Sequence, residues 1–184
     1  MAEGRVGGDR KVLVPAESPA VLPRAAVESR LEEARDRRLT LVTAASGMGK
    51  TTLLAGWARR RGCAWYTVGP EDRDPAVFAR GLLEAARRRV PALEPAAVTP
   101  AQRGEGLAVP FEGQGALAAD QVLAVLGDHL HGDLTLVLDD LHELDGSDAS
   151  CRFLGDLVRA APATLHLVLS SRTDPPFGVA RLRV

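Results

Sequence analysis

The sequence predicts an α/β domain in which a parallel β-sheet is flanked by helices. Three observations favour this class. Short apolar runs alternate with segments of helical periodicity along the 184-residue chain. One run, Leu134–Leu138, is continuously aliphatic, as is typical of a central parallel strand that is buried on both faces. Another run, Leu39–Thr43, passes through a glycine-rich segment directly into a helical segment, as in strand–helix units with right-handed crossovers.

The composition is that of one globular domain. With 46% hydrophobic residues, the 184 residues are enough for one core and not comfortably for two. The 23 Lys and Arg nearly balance the 24 Asp and Glu, which argues against a nucleic-acid or membrane surface. The two cysteines, Cys63 and Cys151, form neither a disulfide framework nor a zinc motif. Because no apolar run approaches the roughly 18 residues of a membrane span and the first residues lack a signal-peptide core, we expect a cytoplasmic protein.

The order of apolar patterns and breakers predicts the elements. Residues 1–17 are rich in glycine and charge, so we expect a poorly ordered tail before a domain over residues 18–184. Gly62 is a helix stop, and Asp74-Pro75 supplies an N-cap and a first-turn proline. Residues 91–115, rich in proline and glycine, predict a surface excursion. The predicted elements are the helix Ala25–Arg37, strand Leu39–Thr43, helix Lys50–Arg61, strand Cys63–Val68, helix Asp74–Arg89, helix Ala116–Leu130, strand Leu134–Asp140, helix Ala149–Ala161 and strand Leu165–Ser170.

The glycine-rich segment between the first strand and its helix predicts a phosphate-binding loop. It follows the pattern G-x-x-x-x-G-K-[ST], with Ala44 in place of the first glycine. Glycines let backbone N–H groups turn inward onto a phosphate, and the helix N-terminus adds its own unpaired amides. We expect Lys50 to reach the β- and γ-phosphates and the Thr51 hydroxyl to bind Mg²⁺. The alternative is a glycine-rich turn that binds nothing. The predicted nucleotide-binding residues of this loop are Ser46, Gly47, Met48, Gly49, Lys50, Thr51 and Thr52.

A pair of acids, Asp139 and Asp140, closes the aliphatic strand. A carboxylate at the carboxyl end of a core strand is costly unless it serves a cation or a ligand. In enzymes with a phosphate loop, the first acid holds the Mg²⁺ shell and a neighbouring acid can polarise the attacking water. We therefore assign Asp139 to Mg²⁺ and Asp140 to water activation if hydrolysis occurs. In the alternative, Asp139 caps a turn and Asp140 is solvated.

Arg172 follows the last predicted strand, beside the acidic one. A charge-assisted contact from this guanidinium could distinguish ATP from ADP, although an arginine after a strand is often a solvated surface residue. His142 is interpreted as a structural histidine, since no metal-ligand spacing surrounds it. Trp57 and Trp65 are interpreted as core residues.

Several segments together resemble one family. They are PRAAVESRL, LTLVTAASGMGKTTLLAGWA, LTLVLDDLHEL and LVLSSRTDPPFGVARLR. These segments resemble the P-loop ATPase domain of the signal-transduction ATPases with numerous domains (STAND), and within them the maltose-regulon-activator-like and large LuxR-type transcriptional regulators. The resemblance covers about Val21 to Val184, and the runs DDLHEL and SRTDPP are much more specific than the loop alone.

The resemblance implies roles for individual residues. It assigns Gly47, Gly49, Lys50, Thr51 and Thr52 to the phosphate loop, Asp139 and Asp140 to the acidic pair, and Arg172 to the strand-end sensor. It also places the element Pro23-Arg24 near the nucleotide base. The loop departs from its relatives at Ala45-Ser46 and Met48, and neither departure removes a phosphate ligand.

The resemblance also implies an architecture. Its sheet order is 5-1-4-3-2, and the chain stops at Val184, where the family would enter the fifth strand. We therefore expect a fragment or a truncated relative whose first strand is left as an exposed edge. The arm, winged helix, sensor repeats and DNA-binding helix-turn-helix of such proteins would be absent, so we expect no direct DNA binding. ATP-dependent self-association is a further expectation.

Three functions remain open at this point. The favoured one is an ATP–Mg²⁺ switch module with slow or partner-dependent hydrolysis. A self-contained P-loop phosphotransferase, such as a small-molecule kinase, would need an arginine-bearing lid, for which the segment around Arg103 is the candidate. A degenerate domain that binds no nucleotide and serves interactions is the third; intact Lys50, Thr51 and Asp139 argue against it.

Overall fold

The computed structural model describes residues 10–16, 24–93 and 119–175. Four strands form one sheet of order β1-β4-β3-β2, in which every neighbouring pair is parallel. This confirms the α/β prediction and matches the implied order without its fifth member. The strands are β1 Leu39–Thr43, β2 Ala64–Thr67, β3 Leu134–Asp139 and β4 Leu165–Ser171, and the helices are α1 Ala25–Glu33, α2 Lys50–Arg61, α3 Pro75–Arg87, α4 Ala119–His129 and α5 Asp148–Ala160.

Local signals begin and end these helices largely as predicted. Asp74 caps α3, its carboxylate accepting the backbone N–H of Ala76 at 2.8 Å, with Pro75 in the first turn. Gly62 ends α2 in the left-handed conformation, with φ of 69°. The first helix is shorter than predicted. It ends at Glu33 and continues as a 3₁₀ turn. Val27, which stands at helical spacing from Leu31, is 39% exposed, while Leu31 is buried.

The sheet separates two hydrophobic layers of unequal size. The larger lies between the sheet and α3, α4 and α5, and we call that side of the sheet the α3–α5 face. The smaller lies between the sheet and α1 and α2, and we call that side the α2 face. Trp57 and Trp65 are both fully buried in this smaller layer, which confirms their interpretation as core. Successive residues of a strand alternate between the two faces, so register decides which layer each side chain joins.

Residues 10–16 form a strap that joins the two layers. Val12 is buried in the larger layer, and Val14 packs against the smaller one. Lys11 Nζ lies 2.6 Å from the Asp72 carboxylate and 2.7 Å from that of Glu71. Arg59 of α2 donates to the carbonyl of Pro15. This part of the predicted tail is thus packed onto the domain, because its two valines and one lysine find buried partners; residues 1–9 and 17 lie outside the described residues.

Most of the predictions for the segments without regular periodicity concern residues that the structure does not describe. The predicted excursion at 91–115 is described only for Pro91–Leu93, a 3₁₀ turn. Residues 176–184, where the chain was expected to reach its fifth strand, also lie outside. Among the described residues, β1 pairs with β4 alone.

Candidate nucleotide-binding site

The predicted phosphate loop lies between the carboxyl end of β1 and the first turn of α2. Gly47 and Gly49 both have φ of 77°, a conformation that L side chains rarely adopt. Around Gly47 a Cβ would meet open space, so backbone conformation rather than crowding favours glycine there. Ala44 is absent from the described positive-φ residues, which is why alanine is tolerated at the first position of the motif. The loop residues Ser46, Gly47 and Met48 are exposed, so their backbone is open to a ligand.

Lys50 is folded across this loop. Its ammonium donates hydrogen bonds to the carbonyl oxygens of Ala44 at 2.6 Å and Ala45 at 3.2 Å. The cation is therefore held at the mouth of the loop by weak, exchangeable acceptors rather than by a carboxylate. An anion with greater charge could take over these bonds without rebuilding the loop. Thr51, the next residue, is half-buried at the start of α2, and Thr52 is exposed.

Asp139 ends β3 with a fully buried side chain. Neither carboxylate oxygen has a hydrogen-bond partner in the described part of the chain. Ser170, at the end of the neighbouring strand β4, is also fully buried, and its hydroxyl likewise has no partner there. A buried carboxylate without partners is costly, and carboxylate and hydroxyl oxygens are ligands that suit Mg²⁺ or its bound waters. These residues fit a hydrated Mg²⁺ ion.

Asp140 differs from Asp139 in backbone conformation and in exposure. It is the one non-glycine residue with positive φ in residues 10–16, 24–93 and 119–175, at φ 58° and ψ 38°. Its side chain is 40% exposed. Burial raises the pKa of this carboxyl, the charge of Asp139 acts in the same direction, and His142 and Arg172 oppose them. Backbone strain of this kind clusters at functional sites, and Asp and Asn tolerate it better than most residues.

Two basic side chains, His142 and Arg172, lie at the same edge of the sheet as Asp140. The His142 Nδ1 atom lies 3.9 Å from an Asp140 oxygen, and Nε2 lies 3.7 Å from Glu143. Both distances exceed hydrogen-bond length, so the imidazole is adjacent to the acid without being fixed to it. Arg172 is exposed just beyond β4, near enough to lower the pKa of Asp140. The structure thus places the strand-end arginine at the same edge of the sheet as the acidic pair.

Arg24 lies against the phosphate loop. One of its terminal nitrogens would be 3.4 Å from a Cβ built on Gly49. The predicted site residues therefore lie at the carboxyl edge of the sheet: the loop follows β1, the acidic pair closes β3, Arg172 follows β4, and Arg24 lies beside Gly49. Pro23 and the possible lid at Arg103 lie outside the described residues.

A cavity of about 600 Å³ lies at the opposite end of the sheet. Arg61 and Arg89 line it where α2 and α3 end, and Arg89 Nε donates to the Cys63 carbonyl at 3.0 Å. Arg61 pairs with the Glu32 carboxylate of α1. This cavity is separate from the candidate site. Within the described ranges, no helix has the length and apolarity needed to cross a membrane.

Comparison with known proteins identifies the relatives of this chain. Each is an HTH-type transcriptional regulator MalT. The protein of Serratia proteamaculans is 34% identical over 157 residues, which is 85% of this chain. That of Yersinia enterocolitica is 34% identical over 148 residues, or 80% of the chain, and that of Vibrio cholerae is 32% identical over 157 residues, or 84%. The chain is a MalT-like domain. No family model matches it.

The MalT-like domain spans about 16% of the length of these relatives. The family resemblance that the sequence segments predicted is thereby confirmed, together with the α/β fold. Most of each relative's length has no counterpart in this chain, as predicted for a regulator with further domains.

At the end of β4, the sequence indicates that a polar residue of Ser170-Ser171-Arg172 could contact the γ-phosphate, and the role was assigned to Arg172. What the sequence did not indicate is that Ser170 is the side chain buried beside Asp139. The alternation of side chains along β4 could have indicated this burial. Ser170 lies on the same face as Val168, which packs with α2, whereas Ser171 lies on the other face. Asp72 was also missed. Its buried carboxylate accepts hydrogen bonds from Lys11 and the Tyr66 hydroxyl, both at 2.6 Å, and from the Gly69 N–H at 2.7 Å.

Proposed function

We propose that this chain is an ATP-binding switch module of a transcriptional regulator, which binds ATP or ADP with Mg²⁺ and hydrolyses ATP slowly or only with a partner. The observation that carries the proposal is Asp139. A fully buried carboxylate without a partner in the described residues lies at the strand end that faces the phosphate loop. Such a group lowers the stability of the empty domain and is compensated when a cation arrives.

Each residue then has a role that its position supports. Lys50 exchanges the carbonyls of Ala44 and Ala45 for the β- and γ-phosphates. The backbone amides from Ser46 to Thr52 surround the phosphates at the positive end of α2. Thr51 and Asp139 hold Mg²⁺, directly or through its waters. The ion supplies neutralisation of phosphate charge and orients the phosphate chain.

Hydrolysis depends on Asp140. Its 40% exposed side chain can reach a water molecule, and its carboxylate is the proton acceptor that this role requires. Arg172, which lies near this carboxylate, has a second anion to contact only while the γ-phosphate is present. A contact of Arg172 with the γ-phosphate would form with ATP and not with ADP, which is a differential interaction of the kind that a switch requires. Arg24, whose guanidinium lies beside Gly49, contacts the nucleotide near its base.

The regulatory part of the proposal comes from the relatives. They carry the name of HTH-type transcriptional regulators, and this chain matches about 16% of their length. In a regulator of this kind, the nucleotide state of the module changes its contacts with domains outside this segment. DNA contact belongs to those domains.

Thermal unfolding with Mg²⁺–ATP, Mg²⁺–ADP and Mg²⁺–GTP tests the proposal. We expect adenine nucleotides to raise the Tm of the wild type by several degrees, since a ligand bound at about 100 times its Kd adds about 2.7 kcal/mol. Lys50→Ala should lose this shift. Arg152→Ala, which removes a cation from α5 in the other layer, should keep it. A folded wild-type chain whose Tm no nucleotide changes would contradict the proposal.

A further inference from the structure

The carboxyl ends of the strands form a short row of side chains on the α2 face. Val42 of β1 lies opposite Ser170 of β4, and Thr67 of β2 lies opposite Asp139 of β3. The ladder between β3 and β4 runs through Leu138 and Leu169, so Asp139 and Ser170 are the next neighbours along it. The row therefore reads Val42, Ser170, Asp139, Thr67 across the sheet, on the side that packs against α2.

The polar side chains of this row differ in whether they have a hydrogen-bond partner. Thr67 accepts the indole N–H of Trp65 at 2.8 Å. The two Asp139 oxygens and the Ser170 hydroxyl have no partner among the described residues, although both side chains are completely buried. Buried polar groups are nearly always hydrogen-bonded, so adjacent exceptions on one face indicate a shared missing partner.

Ser171 is the counterpart of Ser170 on the other face of the sheet. It is 2% exposed and lies on the α3–α5 side of β4, and its hydroxyl accepts the N–H of Thr173 at 3.4 Å. Two consecutive buried serines thus differ in one respect: the one on the opposite face has a partner, and the one beside Asp139 has none.

We infer that Ser170 is a positioning residue for the metal–nucleotide complex, and that its hydroxyl hydrogen-bonds to a water of the Mg²⁺ ion held by Asp139 and Thr51. The inference rests on the proposed function. Mg²⁺ keeps several of its waters in protein sites, and these waters are strong donors that need acceptors. Ser170 supplies an acceptor between Asp139 and the aliphatic Val42. It sets how much Mg²⁺ strengthens nucleotide binding, without touching the phosphates.

Calorimetric titration of ATP into the full chain, once with excess Mg²⁺ and once with EDTA, tests this inference. The quantity compared is the ratio of the metal-free Kd to the Mg²⁺ Kd. In Ser170→Ala we expect this ratio to fall about tenfold, as for a lost hydrogen bond to a charged group, while the metal-free Kd is unchanged. The Tm of the ligand-free variant should equal or exceed that of the wild type, because an unpartnered buried hydroxyl is removed.

Two further variants complete the test. Ser170→Cys keeps nearly the same volume but hydrogen-bonds weakly, so it should show the same loss of ratio. Ser171→Ala, the matched control, should keep the wild-type ratio. If the ratio in Ser170→Ala equals that of the wild type, this inference is wrong and the proposed function stands, whether or not the ligand-free Tm falls. A wild-type chain that binds no ATP under either condition overturns both this inference and the proposed function.

Discussion

On the α3–α5 face, the inward positions of β3 and β4 are six leucines and Ser171, whereas on the α2 face the same two strands present polar side chains at four of their six positions. The six leucines are Leu134, Leu136, Leu138, Leu165, Leu167 and Leu169, all at most 4% exposed. Across the sheet the strands present Thr135, Val137, Asp139, His166, Val168 and Ser170. One backbone thus carries a saturated apolar layer on one side and unsatisfied polar groups on the other.

The difference shows how the domain can remain folded with unpartnered polar groups in its interior. Asp139 and Ser170 each reduce the stability of the empty protein, because nothing in the described residues compensates their burial. The leucines directly behind them fix the strands regardless of whether a ligand is bound. Stability and ligand response are therefore assigned to opposite faces of the same strands, and substitutions on the two faces should have effects of opposite sign.

The largest effect is expected on the apolar face. Leu138 is fully buried one residue before Asp139. Leu138→Ala should lower the free energy of unfolding by about 2–5 kcal/mol, from lost apolar burial and a residual cavity. Denaturant unfolding measures this loss. A decrease of less than about 1 kcal/mol would mean that this layer is loosely packed and does not stabilise the strands.

The strap that joins the two faces should give the next largest effect. Lys11→Met keeps the aliphatic stem but leaves the buried Asp72 carboxylate without its cation. We expect the free energy of unfolding to fall by about 2–3 kcal/mol, less than for a fully buried pair because the Lys11 side chain is 17% exposed. Leu13→Ala, at a 49% exposed position of the same strap, is the control and should change stability little. Equal losses in both variants would contradict this role for the ion pair.

On the α2 face, we expect a substitution to raise the free energy of unfolding rather than lower it. Asp139→Asn removes a buried charge that has no partner in the described chain, so the ligand-free protein should gain about 1–3 kcal/mol. The same variant should lose the part of the ATP-induced Tm shift that depends on Mg²⁺. Denaturant unfolding without ligand and thermal unfolding with Mg²⁺–ATP measure the two effects. A destabilised ligand-free variant would show that Asp139 has a structural partner after all.

The smallest effect concerns His166, also on the α2 face. It is buried, and its Nε2 atom lies 2.9 Å from the Thr40 hydroxyl. Burial lowers the pKa of His166, and the charge of Arg35 acts in the same direction. The unfolded chain therefore binds this proton at a higher pH than the folded chain does. Stability should fall as the pH drops below about 6.5, by at most about 1.4 kcal/mol per pH unit.

Denaturant unfolding at several pH values checks this dependence. His166→Gln should flatten the curve below pH of about 6.5, because the titrating group is gone. His131→Gln, at an exposed position, should leave the curve as it is in the wild type. An equal slope in the wild type and in His166→Gln would rule out His166 as its source.

The sequence could predict the elements that depend on local pattern. The run Leu134–Asp139 is a strand by its aliphatic content, and Asp74-Pro75 begins a helix by its own hydrogen bond and fixed φ. The sheet order and family came from the resemblance, since strand pairing is a long-range property that no local pattern contains. The convergence of the loop, Asp139 and Arg172 followed from the rule that parallel strands end at the same edge.

What the sequence could not predict depends on contacts between distant residues. The strap docks because Lys11 meets Asp72, which is 61 residues away, and the glycine- and charge-rich composition of the segment gave no sign of it. Val27 satisfied the helical period yet is exposed, because α1 covers the sheet only where Leu31 lies. The buried hydroxyl of Ser170 depends on the register between β3 and β4.

The left-handed backbone of Asp140 determines which mutants can be interpreted. At φ 58°, most L residues carry a conformational penalty of about 1–2 kcal/mol that Asn and Asp partly avoid. An alanine at this position would remove the carboxylate and strain the turn in the same step, so its loss of activity would have two causes. Asn keeps the backbone preference and removes only the charge, and Gly relieves the strain and removes the whole side chain. The pair Asp140→Asn and Asp140→Gly therefore separates proton chemistry from loop geometry.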